Sequence, residues 1–399
     1  MSDIHYDYDV IIVGGGLAGL SLSCLLGKFD GLKVACLDRD APEDQLRSDE
    51  RTTAISYGSS QVLQRAGVWD DIVSAGCPIE NIEILDGDSP LLLQFLSSEV
   101  EGKAFGWIIS NRHIRKSLMN AMGELPNVDH IAPACVRDFD VTDDQASVIL
   151  DNGRKISARL VIGADGRMSG VRDFMDVPVR KWSYNQRAVV CFVIHENPHD
   201  NKAVEHFWPS GPFAILPMPN LDDGRHISSL VFTEHEKRKK QSLMDLNDEE
   251  FSQKVEQGFP ESYGTVEILD NKRMAFPLSL VHASEYIAPR MVLVADAAHG
   301  IHPIAGQGLN LGFRDLGVLA TLIEQAVEAG QDIGSVSLLE AYQRKRRPDN
   351  MAMIAFTDAM VRLFSNNLLP VKILRRTGLK AVARLSHAKQ FFMRRAMGE

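Results

Sequence analysis

The sequence has few cysteines, and no two of them form a Cys-x-x-Cys pair. The five are scattered along 399 residues, as Cys24, Cys36, Cys77, Cys135 and Cys191. Their odd number argues against a disulfide framework, and no metal site is predicted from them. We therefore expect a reduced, cytoplasmic setting for this chain.

An excess of positive charge is also missing. The formal net charge is −10, so the protein as a whole would repel phosphate, and no nucleic-acid partner is expected. The length is sufficient for two domains and a sizeable core.

One stretch lacks charge altogether, from residue 10 to residue 27. Eighteen uncharged residues approach the length of a membrane span. However, Asp7 and Asp9 precede the stretch, whereas a signal peptide begins with basic residues. The stretch also contains five glycines. A nucleotide-binding loop explains this composition better than a spanning helix or a cleaved targeting segment.

The first motif is a glycine-rich turn between a predicted strand, residues 8–13, and a predicted helix, residues 18–27. It matches G-x-G-x-x-G, and a second predicted strand ends at Asp38, which is 19 residues after the last glycine. This spacing is close to the ~20 residues expected for a ribose-binding acid, so we predict a dinucleotide site, either FAD or NAD. The residues assigned to it are Gly14, Gly16, Leu17, Ala18, Gly19, Asp38 and Arg39.

Two further predicted strands also end in a carboxylate. Residues 160–163 lead to Asp165, and the apolar run 291–295 leads to Asp296. A loop with Pro303, Gly306 and Gly308 then leads into a helix that we expect to start near Leu309. Strand ends gather along one edge of a doubly wound sheet, and the N-terminus of a helix favours an anionic ligand.

Residues 181–276 have a different pattern, with strand-like segments and an aromatic, turn-rich stretch around Trp208. Residues 79–95 are expected to add strands to the same sheet. Its apolar and aromatic side chains would suit a lipophilic aromatic ligand, although an ordinary hydrophobic core explains them equally well.

The segment 360–399 is basic and amphipathic. It holds nine basic residues and one acid, Glu399, which gives a charge of 9 − 1 = +8. Such a segment can lie on an anionic membrane surface or dock on a partner protein. It can also pack on the acidic body of its own chain, and Pro370 is expected to interrupt any single long helix.

Taken together, the three motifs resemble those of the single-component flavoprotein hydroxylases of the p-hydroxybenzoate hydroxylase type. Residues 14–19 match the FAD fingerprint, residues 163–166 the Asp-Gly motif, and residues 295–310 the third motif. Within that group, residues 302–312 and 346–350 are similar to the ubiquinone-biosynthesis hydroxylases. One departure is Ala295, where many relatives have glycine and alanine should be tolerated. The Trp-x-Trp-x-Ile-Pro motif of the related halogenases is missing from the sequence.

The resemblance implies a mixed α/β fold in three parts. A Rossmann-like FAD-binding domain would comprise residues 1–75, 100–180 and 277–345. A substrate-binding sheet domain, 76–99 and 181–276, would be inserted into it. A helical region, 346–399, would follow, with one helix ending before Pro348.

The resemblance also implies a reaction. FAD is reduced and binds O2 to form a flavin C4a-hydroperoxide, which attacks the ring of a polyprenylated phenol in ubiquinone biosynthesis. No separate NAD(P)H domain is visible, so the electron donor is either NAD(P)H or a reductase and ferredoxin pair. A prenyl reductase and a flavoprotein subunit of a ubiquinone-biosynthesis assembly are the alternative functions. No catalytic base is identified, since the flavin supplies the attacking oxygen.

The family match finally suggests where the other ligand-contacting residues lie. Arg51 and Arg112 would lie near the pyrophosphate and ribityl groups, and Asp165 belongs to the second motif. Asp296 would hold the ribityl chain. The residues expected beside the isoalloxazine are Pro303, Gly306, Gln307, Gly308, Leu309 and Asn310.

Overall fold

The computed structural model describes residues 5–47, 49–87, 92–208, 211–236, 241–364 and 369–398. Residues 88–91 of the predicted sheet domain and 365–368 of the C-terminal segment lie outside the described residues, as do Pro209 and Ser210 of the aromatic stretch.

The strands of the described residues are numbered in chain order. They are β1 (Tyr8–Val13), β2 (Val34–Leu37), β3 (Thr52–Ser56), β4 (Cys77–Ile79), β5 (Asn81–Asp86), β6 (Leu93–Leu96), β7 (Gly106–Ser110), β8 (Val128–Ile131), β9 (Val136–Val141), β10 (Ala146–Leu150), β11 (Lys155–Gly163), β12 (Val179–His195), β13 (Lys202–Trp208), β14 (Gly211–Pro217), β15 (His226–His235), β16 (Val266–Ile268), β17 (Met274–Ala283), β18 (Ile287–Ala288), β19 (Met291–Leu293) and β20 (His299–Gly300).

The α-helices are numbered in the same way. They are α1 (Leu17–Leu26), α2 (Pro42–Arg47), α3 (Tyr57–Arg65), α4 (Trp69–Ser74), α5 (Asn111–Gly123), α6 (Gly170–Phe174), α7 (Asp248–Glu256), α8 (Gln307–Glu328), α9 (Val336–Phe364), α10 (Leu369–Arg384) and α11 (Ser386–Met397).

The first sheet has a parallel centre in the order β19-β11-β1-β2-β8. Its central strand, YDVIIV, is apolar almost throughout because both faces are covered by other elements. The hairpin β9-β10 extends the sheet next to β11. This arrangement confirms the predicted mixed α/β fold with a Rossmann-like centre.

The second sheet has nine strands and contains most of the segment between β12 and β17. Strands β5 and β6 join it through a parallel pairing of β5 with β13, as expected for residues 79–95. Helix α7 packs on the outer face of this sheet, where Phe251 and Val255 contact the cluster around Phe213. A three-stranded sheet, β3-β7-β4, lies between the two large sheets.

Four sequence predictions about local structure are wrong. Helix α8 begins at Gln307, so Gly308 belongs to its first turn and not to the preceding loop. Strand β19 ends at Leu293, because the chain turns into a 3-10 helix at 295–297. The sequence predicts Asn111 as the N-cap of the helix that carries Arg112, but the N-cap of α5 is Ser110 and Asn111 is its first helical residue.

The fourth error concerns Pro348, which lies inside α9 and does not end it. A proline in a helix removes one backbone hydrogen bond and crowds the preceding turn. Here Arg346 and Asn350, one turn apart on either side of the proline, both bond to the buried carboxylate of Asp315. These tertiary contacts fix the helix on both sides of Pro348 and offset its local cost.

The basic C-terminal segment folds back on the body of the protein. Arg376 Nε on α10 donates to Asp86 Oδ2 over 2.8 Å, Arg375 also pairs with Asp86, and Lys389 pairs with Glu99. Met393 and Met397 on α11 are buried against the cluster that contains Phe95. The inner side of this segment therefore packs on its own chain.

Candidate functional site

The glycine loop and the three strand-end carboxylates predicted from the sequence meet at one edge of the first sheet. Strands β1, β2, β11 and β19 are parallel neighbours, so their carboxyl ends share that edge. The glycine loop follows β1, Asp38 follows β2, Asp165 lies two residues beyond β11, and Asp296 follows shortly after β19. The predicted gathering of three strand-end carboxylates around the glycine loop is thus observed.

The glycines of the loop are required for two different reasons. Gly14 has φ +110°, and a Cβ there would lie 2.5 Å from the carbonyl oxygen of Ala164. A Cβ on Gly19 would lie only 1.8 Å from the carbonyl oxygen of Gly14. Gly19 therefore allows α1 to pack against the loop, as expected from the motif.

Gly16 differs, because a Cβ there would meet no atom of the described residues within 4 Å. Gly16 is the N-cap of α1, and no side chain caps this helix terminus. The first turn of α1 also carries no acidic residue. Free N–H groups beside an open backbone position fit the approach of a pyrophosphate.

Asp38 lies directly beside the glycine loop. Its Oδ2 accepts a hydrogen bond from Gly15 N at 2.6 Å, and its Oδ1 accepts one from Asp40 N at 2.9 Å. The carboxylate is half-buried, whereas the neighbouring Arg39 is exposed. The loop thus holds Asp38 in place while leaving part of the carboxylate accessible to a ligand.

Helix α5 contributes an arginine that the sequence reading did not identify. Arg115 Nη1 donates to the carbonyl oxygen of Gly15 at 2.9 Å and to Gln45 at 3.2 Å. The predicted residue, Arg112, lies almost one turn earlier and is exposed. The spacing Arg112 to Arg115 places both on one side of a helix, which is the signal that could have identified Arg115.

Arg51 is held by a buried acidic partner. Its guanidinium forms two hydrogen bonds with Asp49, at 2.7 and 2.8 Å, and Asn111 donates to the same carboxylate at 2.9 Å. Burial alone would raise the pKa of Asp49, but Arg51 and Asn111 lower it overall. Arg51 also lies over the ring of Phe276, at 5.2 Å, so it borders both the first domain and the second sheet.

Asp296, the predicted ribityl contact, is paired with a second arginine that was not identified from the sequence. Arg167 Nε donates to Asp296 Oδ2 at 3.0 Å. The same guanidinium donates to the carbonyl oxygens of Ile301 and Ser279. Arg167, from the Asp-Gly motif, therefore ties Asp296 to the loop that precedes α8.

Asp165 has a different environment. Its Oδ2 accepts a hydrogen bond from Val171 N at 3.1 Å in the short helix α6. Burial raises the pKa of the Asp165 carboxyl. This carboxylate organises the turn after β11, and a direct contact with a ligand stays a prediction for it.

The loop that leads into α8 contains the residues predicted to lie beside the isoalloxazine. Gly306 has φ +64°, a left-handed conformation that turns the chain into the helix. A Cβ on Gly308 would meet no protein atom within 4 Å, so this first turn is open. Together with Pro303, Gln307 and Leu309, these residues stay predicted cofactor contacts.

Both polar atoms of the Asn310 side chain have protein partners. Its Oδ1 accepts from Ser56 N at 2.9 Å, and its Nδ2 donates to the carbonyl oxygens of Ala54 and Gly306, at 2.8 and 2.9 Å. The side chain therefore fixes the start of α8 against β3. Any contact of Asn310 with a cofactor would have to come from its main chain.

Ala295 has a left-handed backbone, with φ +52°. Only glycine adopts this conformation without steric cost, which explains the glycine that resembling sequences carry there. Alanine is tolerated, as expected, and two contacts support it. Its N–H donates to Asp315 Oδ2 at 3.0 Å, and α8 faces it with Gly312, where a Cβ would lie 2.8 Å from that of Ala295.

A buried polar network lies beneath the strand end that carries Asp296. Asp315 is completely buried and accepts hydrogen bonds from His299 at 2.5 Å, Arg346 at 2.7 Å and Asn350 at 3.2 Å. Burial alone would raise the pKa of Asp315, but His299 and Arg346 lower it overall. The network links α8 and α9 to the backbone that positions Asp296.

His302 is buried next to Pro303, with Nδ1 accepting from Ile304 N at 3.2 Å. Burial, with a smaller contribution from the Arg167 charge, lowers the pKa of His302 to about 4. Its ring lies edge-on to Tyr184, 4.9 Å between centroids. At neutral pH it is therefore an uncharged group that shapes the loop.

Comparison with known proteins agrees with these observations. A family model described as "FAD binding domain" matches residues 7–357. The ubiquinone hydroxylase UbiL of Rhodospirillum rubrum is 42% identical over 392 residues, covering 98% of this chain and 89% of that protein. The 3-demethoxyubiquinol 3-hydroxylase of Escherichia coli is 33% identical and covers 98% of both chains.

A solved structure gives the same fold. The p-nitrophenol 4-monooxygenase PnpA of Pseudomonas putida DLL-E4 superposes with a TM-score of 0.82 over 99% of each chain, at 18% identity. At that identity the likeness concerns the fold alone. Among the described residues, no helix has the length and apolar character needed to cross a membrane.

Proposed function

This chain belongs to the FAD-binding-domain family that includes the ubiquinone-biosynthesis hydroxylases, and we propose that it hydroxylates the ring of a polyprenylated phenol on the route to ubiquinone. It is an FAD-dependent aromatic monooxygenase, with O2 as co-substrate. The observation that carries the proposal is the edge of the first sheet, where the glycine loop and three carboxylates form a dinucleotide-binding arrangement. This edge faces the inner side of the second sheet.

The residues of the strand edge fit FAD. The open backbone at Gly16 and the uncapped start of α1 would receive the pyrophosphate, and Asp38 would accept from the adenosine ribose. Asp296 would hold the ribityl chain. The uncapped start of α8 would stabilise the negative charge of the reduced flavin ring. When bound and reduced, FAD supplies the activation of O2 and the transfer of one oxygen atom.

The protein supplies a dry, apolar environment on the other side of this loop. Ile304, directly after Pro303, packs with Phe207 of β13 and with Val361 and Phe364 of α9. Phe207 and Phe364 are stacked with 3.7 Å between ring centroids. Excluding water favours oxygen transfer over loss of the activated oxygen to solvent, and an apolar wall suits a prenyl chain.

The function is tested by the quinones of a strain that lacks this protein. We expect a prenylated phenol with one ring hydroxyl missing to accumulate, and this compound identifies the hydroxylated position. Purified protein with FAD and 18O2 should add one labelled oxygen atom, with NADPH, NADH or a ferredoxin and its reductase as donor. A product without added oxygen but with a saturated prenyl bond would instead establish a prenyl reductase.

The role of Asp296 is tested separately by Asp296→Ala. We expect the purified variant to lose FAD, because the ribityl hydroxyls lose their acceptor and Arg167 loses its partner. Asp223→Ala, which removes an exposed carboxylate from the second sheet, is the control and should remain yellow. A fully yellow Asp296→Ala protein would show that the ribityl chain is held elsewhere.

The C-terminal helices are proposed to contact an anionic membrane surface with the side that faces away from the body. Ile373 on α10, Leu385 between the two helices and Phe391 on α11 are between 56% and 60% exposed. Lys380 and Arg384 are exposed on α10. Exposed apolar and basic groups on one segment suit an anionic lipid surface. The acidic body would be repelled from that surface, which would orient the protein with these helices toward the lipid.

Vesicle flotation tests this contact. The protein should bind vesicles that contain phosphatidylglycerol and not vesicles of phosphatidylcholine alone. Each basic residue near such a surface contributes about 1 kcal/mol, so Lys380→Glu/Arg384→Glu should weaken binding about thirtyfold or more. Lys116→Glu/Arg137→Glu, at exposed positions of the first domain, should have little effect. An equal loss of vesicle binding in both double variants, or no loss in either, would contradict the proposal. Binding of the helices to a partner protein in the absence of lipid would also contradict it.

A further inference from the structure

Among the described residues, the carboxylate of Glu205 on the inner face of the second sheet has no hydrogen-bond or ion-pair partner. Glu205 lies on β13 between Ala203 and Phe207, and residues two apart on a strand share a face. Phe207 packs with Ile304, and Ala203 packs with Ile108 and Phe105. Glu205 is therefore on the face that looks toward the loop beside the predicted flavin ring, roughly 7 Å along the strand from Phe207.

The neighbouring strands confirm the direction of this face. Glu205 pairs with Ala214 on β14 and with Ile84 on β5, and Ile84 packs with the cluster that includes Ile304. On β15 the same face carries Ser229, whose hydroxyl accepts from Thr52 of β3 at 3.0 Å. The inner face of the sheet thus meets β3 and the loop before α8.

The side chain of Glu205 is closely surrounded by protein yet keeps some accessible surface. Among the described residues, no hydrogen bond or ion pair reaches its carboxylate. A buried carboxylate without a partner is costly, so its presence on a face of alanine, isoleucine and phenylalanine requires an explanation.

Two acids on the elements packed against this face have arginine partners among the described residues. Asp86 on β5 bonds to Arg375 and Arg376 of α10, and Asp358 on α9 bonds to Arg362 at 2.7 Å. The titratable groups packed in the same clusters also include Tyr57 and Tyr184, and His302 lies edge-on to Tyr184. Burial raises the pKa of Tyr184 and lowers that of His302, which leaves both neutral at pH 7.

We infer that the carboxylate of Glu205 accepts a hydrogen bond from the ring hydroxyl of the substrate and so orients the phenol toward the flavin. The inference rests on the proposed function, since it names the group that recognises the phenol. The ring hydroxyl is the one polar group of a prenylphenol before hydroxylation. It can donate a hydrogen bond, whereas the prenyl chain has no donor. Withdrawing its hydrogen toward a carboxylate also makes the ring more electron-rich.

A pH dependence follows from the same contact. Burial raises the pKa of Glu205 to about 7, so the carboxylate becomes ionised as the pH rises through that value. A charged acceptor forms a stronger hydrogen bond than a neutral one, and a phenol stays protonated until about pH 10. The preference for a phenol should therefore increase between pH 6 and pH 8.

The experiment compares two probes, 2-prenylphenol and its methyl ether 2-prenylanisole, which lacks the donor. Dissociation constants are measured by titration of the FAD-loaded protein, without turnover. In the parent protein we expect the phenol to bind about tenfold more tightly than the ether at pH 8, and the difference to shrink at pH 6. Glu205→Leu should bind both probes equally.

Two further variants make the result decisive. Glu205→Gln keeps an acceptor of the same size, so it should still prefer the phenol, but without the change between pH 6 and pH 8. Glu267→Leu removes an exposed carboxylate from β16 of the same sheet and should behave like the parent. A phenol preference that survives unchanged in Glu205→Leu, or a pH dependence that survives in Glu205→Gln, would overturn the inference.

The same titrations distinguish failure of this inference from failure of the proposed function. If neither probe binds the parent protein and no labelled oxygen is transferred, the proposed function is wrong. If the parent protein binds and hydroxylates phenols while Glu205→Leu keeps the same preference, only the role of Glu205 is wrong.

Discussion

Replacing Asp315 with alanine should both destabilise the protein and weaken FAD binding. Asp315 has no accessible side-chain surface and accepts four hydrogen bonds, from His299, Arg346, Asn350 and the Ala295 N–H. The variant would leave the buried guanidinium of Arg346 without its closest carboxylate. Breaking a buried ion pair by removing one partner costs about 3–5 kcal/mol, and we expect a loss of this size here.

The effect on FAD has a separate cause. The Ala295 N–H is one of the contacts that hold the left-handed turn before Asp296. Without it, the turn relaxes and the carboxylate of Asp296 shifts from the position in which it meets the ribityl chain. We therefore expect the FAD dissociation constant of Asp315→Ala to rise as well.

Both effects can be measured on the apo-protein. Urea unfolding followed by tryptophan fluorescence gives the free energy of unfolding, and titration with FAD gives its dissociation constant. Asp349→Ala is the matched control, because Asp349 also bonds to Arg346, at 2.8 Å, but keeps 28% of its side chain exposed. It should cost less than about 1 kcal/mol. Equal losses in the two variants would refute the assigned role of the network.

Three more predictions concern the glycine loop, the strained alanine and acid stability. Gly19→Ala should fail to fold normally, because its Cβ would lie 1.8 Å from the carbonyl oxygen of Gly14. Gly16→Ala should keep its unfolding midpoint and bind FAD about tenfold more weakly, a loss of ~1.4 kcal/mol in binding free energy. An equal loss of stability in the two variants would contradict this prediction. Ala295→Gly should raise the free energy of unfolding of the apo-protein by about 0.5–1 kcal/mol. The gain from relieving the left-handed backbone strain at residue 295 exceeds the cost of the added entropy of the unfolded chain. A lower free energy of unfolding would contradict this prediction. Burial lowers the pKa of His282 and of His302 to about 4, below the unfolded value, so the unfolded state binds more protons between about pH 6.5 and pH 4. As the pH is lowered through that window, the free energy of unfolding should decrease by up to about 1.4 kcal/mol per pH unit for each histidine. His282→Gln should reduce this slope in acid unfolding.

Sequence periodicity and motif spacing were sufficient for the parts of the fold that depend on local pattern. The dinucleotide-binding unit around Gly14 and Asp38 could be predicted, because few other folds share its order of strand, glycine turn, helix and acidic residue. The position of β5 and β6 in the second sheet was also expected, although the parallel pairing of β5 with β13 was not predicted from the sequence. These features are encoded within short windows, where hydrophobic alternation and turn residues agree.

Contacts between distant residues account for what the sequence did not reveal. Pro348 looked like a helix end, because the bonds from Arg346 and Asn350 to Asp315 are made across the fold. Arg167 carries no local mark that separates it from a surface arginine, and the only local signal for Arg115 is its spacing of three residues from Arg112. Glu205 is one acid in an otherwise strand-like segment, and its isolation is visible only when the neighbouring strands are in place.

The salt bridges between Asp86 and the two arginines of α10 have a consequence for the synthesis of the protein. Asp86 is completed on the ribosome long before residues 375 and 376 exist, yet in the finished molecule it is 1% exposed and bonded to both. During synthesis the strand that carries Asp86 can therefore pair with β13 before α10 is available to cover its carboxylate. The order of translation therefore sets the order in which this buried ion pair can form, because the carboxylate of Asp86 is made first and its two arginines last.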